Sequence, residues 1–303
     1  ELKVKIAMLQ LLKKKVDVQQ LVLRGVHAHI YRNMPDTNFN FTYIINAFAS
    51  KEPKDTTKVK DTSSASLAIN LDRVKIDDFH FHMEDQTGGM TVATDLEHLD
   101  LKMKKLDLEE MLFHIKELTI SGLQLKYQQD TSYLPAKPKS NKKTKLQLQG
   151  DDIDMQRIVF NYNDNLNKFL FGLNLGGLKL QLDKFGLDDN RINVKKLALD
   201  NSDIVLFMGN RTTTPAFIDT IIKKDSVEGW HVNAKDVDLR GVSFKMDNES
   251  MPRLKSGMDF SHMFFQKTSL GLGDFLYTTD TISGRVKYCA TTEQSGLKVR
   301  ELR

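Results

Sequence analysis

From Leu99 to Tyr127 the apolar residues fall at Leu99, Leu101, Met103, then Leu106, Leu108, then Met111, Phe113, Ile115, then Leu118, Ile120, then Leu123, Leu125 and Tyr127. Steps of two within a group mark one face of a β-strand, and the step of three between groups adds one residue where the phase slips. Between these positions only Leu112 is apolar, so the opposite face is wet. The motif returns every 12 residues and also fits Leu2 to Ile30, Leu67 to Met83, Leu146 to Tyr162, Leu178 to Leu206 and Trp230 to Met246. Over all six segments 59 of 63 template positions are apolar. The overall apolar share of 40% would give about 25, and a 3.6-residue helical period cannot produce the match.

A longer repeat lies above the short one. Val74 to Leu125 aligns without gaps on Ile153 to Ile204, a shift of 79, with Phe81 over Phe160, Asp85 over Asp164 and Leu108 over Leu187. Val237, Leu239, Val242, Phe244 and Met246 open a further copy, and Leu21 to Ile30 closes an earlier one. The expected organisation is one continuous elongated domain: 1–66 the tail of a first repeat with a helix and polar loop, 67–145 a second, 146–229 a third with a helical insert, and 230–303 the start of a fourth. Leu67 to Tyr127 holds five 12-residue modules, which reads as five strands followed by one long connection.

Two connections carry helical signals. Phe41, Ile44, Ile45 and Phe48 stand at i, i+3, i+4, i+7 behind Thr37 and Asn38 as caps. Thr214 caps a second segment, with Pro215 at its first position and Ile218, Ile221 and Ile222 on one side. Each is expected to be a short amphipathic helix that covers a sheet edge or acts as a lid. The two-residue spacers include Arg24-Gly25, Ser121-Gly122 and Arg240-Gly241, suited to bulges. Lys104-Lys105 and Glu109-Glu110 suit tight hairpins poorly, so bulged and curved strands are expected.

Composition narrows the function classes. With 44 basic and 40 acidic residues interspersed along the chain, the net charge of +4 describes a solvated surface, so no nucleic-acid partner is expected. Lys51 to Lys60 and Lys137 to Lys145 are basic runs without aromatics and read as polar loops. No stretch approaches a membrane span and no signal segment opens the sequence. Cys289 stands alone, which leaves no internal disulfide or zinc-thiolate cluster.

No catalytic constellation or cofactor motif emerges. His27/His29 and His80/His82 have a chelating i, i+2 spacing, but no acid or cysteine recurs with them, so a solvated strand face is expected and no metal. Asp77/Asp78, Glu109/Glu110, Asp151/Asp152 and Asp188/Asp189 recur in spacers, where acid pairs serve bulges and turns rather than glycoside hydrolysis. Gly88-Gly89, Gly176-Gly177 and Gly271-Leu272-Gly273 lack the helix and lysine of a phosphate loop.

The run LLKKKVDVQQLVLRGVHAHIYRN from Leu11 to Asn33, NFNFTYIINAF from Asn38 to Phe48 and the strand-only repeat resemble the AsmA/TamB superfamily of Gram-negative envelope proteins, particularly its long TamB-like members. The resemblance covers the whole chain and consists of apolar spacing. It implies an elongated all-β repeat forming a curved β-groove, anchored in the inner membrane and extending through the periplasm. It also implies roles in moving phospholipid to the outer membrane and in outer-membrane protein assembly, and no enzymatic activity. The anchor and C-terminal domain of such proteins are not among these residues, so a piece of a longer chain is expected, with membrane contact through segments outside it.

On this reading Phe79, Phe81, Met83, Leu101, Met103, Phe113 and Ile115 line the groove and contact phospholipid acyl chains, with Phe160, Tyr162, Leu180, Leu182, Ile192 and Val194 in the next copy. The alternatives are residues packed on one another across a narrow core, a scaffold that pairs its edge strands with an outer-membrane β-barrel client, and a closed β-solenoid.

Overall fold

The computed structural model describes residues 1–6, 15–36, 38–48, 68–133, 145–209 and 229–302. Period-two alternation, punctuated by Asp, Asn and Gly, dictates strands and turns along nearly all of them. The strands are β1 (Leu2–Ile6), β2 (Lys15–Arg32), β3 (Ala68–Leu71), β4 (Arg73–Asp85), β5 (Met90–Asp107), β6 (Leu112–Gln129), β7 (Gln147–Asp164) and β8 (Phe169–Gly186). They continue with β9 (Arg191–Asp200), β10 (Asp203–Met208), β11 (His231–Asn248), β12 (His262–Tyr277), β13 (Ile282–Glu293) and β14 (Lys298–Leu302). Helix α1 (Thr42–Phe48) follows β2.

All 14 strands belong to one sheet, in the order β1-β2-β4-β5-β6-β7-β8-β10-β11-β12-β13-β14. β3 pairs with β2, and β9 fills the gap between β8 and β11. β4, β5 and β6 are antiparallel neighbours, as are β7, β8 and β9/β10. Between these groups the pairing is parallel: β2 with β4, β6 with β7, and β9 and β10 with β11. Three strands per group leave the chain at the far end of the sheet, so a long connection must return it before the next group begins. A solenoid coil, in which each strand pairs in parallel with the next turn, does not have this pairing.

The count of five strands per unit is corrected to three. β2, β5, β6, β7, β8 and β11 each run for 18 residues. β3 and β4 form one such line beside β2, interrupted only at Asp72. The step of three that separates apolar groups arises in two ways. At Ser121-Gly122 and Lys104-Lys105 it is an irregularity within a strand, whereas at Glu109-Glu110 it is a hairpin loop between β5 and β6. Both preserve the face, so the pattern alone does not distinguish them. The hairpin expected to be unfavourable forms because Asp107 Oδ1 accepts the Glu110 N–H at 3.0 Å and Met111 takes φ 49°. Asp85 and Asp164 do the same for Gly88 N–H (2.8 Å) and Asn167 N–H (2.9 Å).

The irregularities inside strands align across the sheet. Left-handed residues occur at Gly25, Asp78, Gly122, Arg157, Asn201 and Gly241, in one line across the ladder, with β5 contributing Glu97 between Asp78 and Gly122 and β8 contributing Gly176 between Arg157 and Asn201. A second line runs about six residues away, marked by register shifts at Met103–Lys105, Gly150–Ile153, Leu182–Lys184 and Gly273–Leu276. Bulges increase twist and bend the strand that carries them. Here neighbouring strands carry theirs at the same two levels.

Burial follows these lines. Among the described residues nine apolar side chains are buried: Val22, Val74, Leu96, Ile153, Ile158, Leu175, Ala234, Val237 and Val242. Leu96, Ile158, Leu175 and Val242 adjoin the first line, and Ile153, Val237 and Val74 lie beside the second. A globular chain of this length would bury about three-quarters of its unfolded surface around a common centre. The described residues have no such centre.

Helix α1 begins at Thr42 rather than behind Thr37/Asn38. Asn40 holds the preceding turn on β2, accepting from Tyr31 N–H at 3.1 Å and donating to His29 C=O at 3.0 Å, which delays the first helical turn. The second expected helix, with Ile218, Ile221 and Ile222, and both basic runs except Lys145 lie outside the described residues.

Candidate functional site: the apolar face of the sheet

The register assembles the apolar positions into rows that cross the sheet. One row reads Ile30, Met83, Val92, Tyr127, Tyr162, Phe171, Leu206, Met246 and Met263. Beyond the first bulge line another reads Leu23, Ile76, Leu99, Ile120, Met155, Leu178, Leu199, Leu239, Leu270 and Cys289. A slip of one residue on any strand would turn its apolar set to the polar side. The bulges prevent this because the neighbouring long strands take their extra residues at matching levels.

All thirteen residues expected to line a groove lie on this one face. Phe79, Phe81 and Met83 on β4 share a band with Phe160 and Tyr162 on β7, across Leu125 and Tyr127. Leu101 and Leu180 belong to a row bordering the second line, while Met103 pairs with Ile115, Leu182 with Val194, Leu106 with Phe113 and Phe185 with Ile192. The thirteen therefore fall on both sides of the first bulge line: the β4 and β7 residues on one side, Leu101 and Leu180 in the strip between the lines, and the others at or past the second line. None is buried and none fully exposed: each is shaded by its neighbours and still reached by solvent.

Aromatic rings thicken the first band. Tyr127 stacks on Tyr162 (centroids 4.9 Å apart), Phe160 meets Phe171 at 5.8 Å, and Tyr162 meets Phe169 edge-on at 5.8 Å. Burial raises the Tyr127 phenol above its ordinary range, and its hydroxyl donates to Gln129 Oε1 at 3.0 Å. At the rim of the same face Arg32 grips Asp85 through Nε (2.8 Å) and Nη2 (2.5 Å), with the guanidinium 4.6 Å above the Phe39 ring. The sequence reading missed this pair, although Asp85 over Asp164 was its visible trace. It also missed Val92, Thr94 and Leu96, Phe169 to Leu175, and Met263 to Tyr277, whose alternation carried the same signal.

Of the helix residues, Ile44 and Ile45 are exposed and Phe41 is partly shaded. The side chain of Phe48 is not among those described.

The opposite face is charged and paired. Lys104 and His114 meet Asp151 at 3.1 and 2.8 Å, Lys195 meets Asp183 at 2.8 Å, and Glu97 reaches over Gly122 to Arg157. His98 and Arg24 bind Asp77, and Lys184 binds Asp189. These partners lower the carboxyls of Asp77, Asp151 and Asp189, the opposite of what a general acid needs. One expectation is corrected: acids do accompany the histidine pairs, because the register places Asp95 beside His80, and the left-handed turn at Asp78 brings that carboxylate to it.

Compared with known proteins, the chain matches no family model, no curated protein and no solved structure. No described helix is long and apolar enough to cross a membrane.

Proposed function

We propose that the sheet curls about its apolar face into an elongated groove that shields acyl chains, and that the chain serves phospholipid transport between inner and outer membranes. The observation that carries this reading is the apolar face itself: continuous from strand to strand, in register, and solvent-reached at all thirteen lining positions. A monomer normally exposes apolar patches of a few hundred Å², and a larger one calls for an occupant. The two bulge lines supply the curvature. They divide each long strand into three panels, the middle one about 20 Å across at 3.3 Å per residue. At about 4.8 Å per strand the groove extends for roughly 50 Å.

Transfer energetics give such a face its purpose. Exposing a 16-carbon chain to water costs about 13 kcal/mol at 0.8 kcal/mol per CH₂. A continuous apolar floor removes most of that cost while the headgroup stays outside. The resemblance to the AsmA/TamB superfamily adds the setting: periplasm, an inner-membrane anchor outside these residues, and an outer-membrane β-barrel assembly partner. A narrow core packed on itself is disfavoured by the pattern of burial: seven of the nine buried apolar residues described adjoin the bulge lines instead of filling an interior.

The test is a charge on the face. Leu101→Asp and Phe81→Glu are expected to keep the β-sheet circular dichroism signal, because both positions are partly solvated already. They should reduce the phospholipid that co-purifies with the protein, measured by mass spectrometry of extracts, at least five-fold. Folded variants that carry undiminished lipid would overturn the reading.

A further inference from the structure

The polar face holds an arrangement that lipid shielding does not use. The parallel register of β2 and β4 sets His27 beside His80 and His29 beside His82, turning two His-x-His pairs into a block of four imidazoles. The His27 and His80 rings stack with centroids 4.6 Å apart, and those of His29 and His82 lie 5.2 Å apart. Carboxylates complete both halves. Ligand atoms of His27, Asp78 and His80 lie within 4.8 Å of one another, as do those of His29, His82 and Glu84.

We propose that this block binds divalent transition-metal ions of the zinc type, one on His27, Asp78 and His80 and a second on His29, His82 and Glu84. The set is chemically suited, since imidazole nitrogen and carboxylate oxygen are the donors that zinc takes in sites with an open position. Zinc–ligand bonds of about 2.0–2.1 Å place tetrahedral donors about 3.3 Å apart, so the side chains need close by at most about 1.5 Å. The first half is already oriented. Asp95 on β5 holds His80 Nδ1 at 2.5 Å, which turns Nε2 toward Asp78 Oδ1, 3.1 Å away. A carboxylate behind the ligating imidazole fixes its tautomer and raises its basicity. The cluster borders a shallow concavity of about 330 Å³ whose wall includes Ala93, leaving room for an ion and its water.

Imidazole binds a metal ion through an unprotonated nitrogen, so affinity should fall as the pH drops from 8 to 6.

Zinc chloride titrated into tag-free, chelator-treated protein, followed by isothermal calorimetry at pH 7.5, tests the proposal. The expected result is two ions per chain, with the tighter dissociation constant micromolar or below. His80→Ala should weaken the tighter site at least 100-fold. Asp95→Asn, which leaves every direct ligand in place, should weaken it about 10-fold. Circular dichroism of both variants should match the parent, since these side chains project from an intact ladder. Absence of binding at millimolar zinc, or binding that His80→Ala and Asp95→Asn leave unchanged, would overturn it.

Discussion

Asp85 shows how one polar residue is retained on an apolar face. Its carboxylate is nearly buried, accepts two bonds from Arg32 and caps the β4–β5 hairpin through Gly88 N–H. Arg32, which is raised in turn, holds its pKa below the usual carboxylate range against the opposing effect of burial. A depressed carboxyl contributes stability above its unfolded pKa of about 4, and that contribution is lost as pH falls through the lower, folded value. Asp85→Asn should therefore cost about 1–3 kcal/mol at pH 7, read from urea unfolding midpoints. The gap from the parent should close as the pH falls below the depressed, folded value. A gap independent of pH would assign the loss to the turn rather than the charge. The alignment of Asp85 with Asp164 was legible in the sequence, but Arg32 as its partner was not. That contact joins strands 53 positions apart and exists only because β2 and β4 run parallel.

Among the strands, the apolar period was fully legible and its punctuation was not. A bulge and a four-residue hairpin both advance the pattern by three, so five short strands and three long ones are the same string of letters. What separates them is hydrogen bonding: Asp107 closes a turn at Glu110, whereas Gly122 takes φ 66° within a strand. The bulge line can be tested by adding a methyl group at two of its glycines. At Gly25 a Cβ meets nothing nearer than Asp78 Oδ2 at 3.6 Å, so Gly25→Ala should pay only for the left-handed backbone, about 1–2 kcal/mol. At Gly176 a Cβ would lie 2.5 Å from the backbone oxygen of Asn201 and 2.8 Å from that of Asp200. Relief requires β8 and β9 to part, and overpacking of this kind costs about 1–3 kcal/mol beyond any backbone preference. Gly176→Ala should also raise amide exchange along the β8–β9 ladder, a change that Gly25→Ala should not produce. Equal local exchange in the two variants would show that the line tolerates displacement.

At the largest scale the described strands form one sheet whose apolar residues are spread mainly along one face rather than gathered at a centre. Residues shaded on either side by their row neighbours are partly protected, while the face as a whole still meets solvent. Which residues share that face was largely readable from spacing alone; its division by the two matched bulge lines depends on register, which one sequence does not encode locally. The account rests on that face holding acyl chains, and a photo-crosslinking scan tests it most directly. Benzoyl-phenylalanine placed one at a time at Phe81, Leu101 and Phe160 on the apolar face, and at Lys75, Lys126 and Gln156 on the polar face, would be irradiated with phospholipid present. The account expects lipid adducts at the first three positions and none at the last three. Adducts on both faces alike, or on neither, would contradict it.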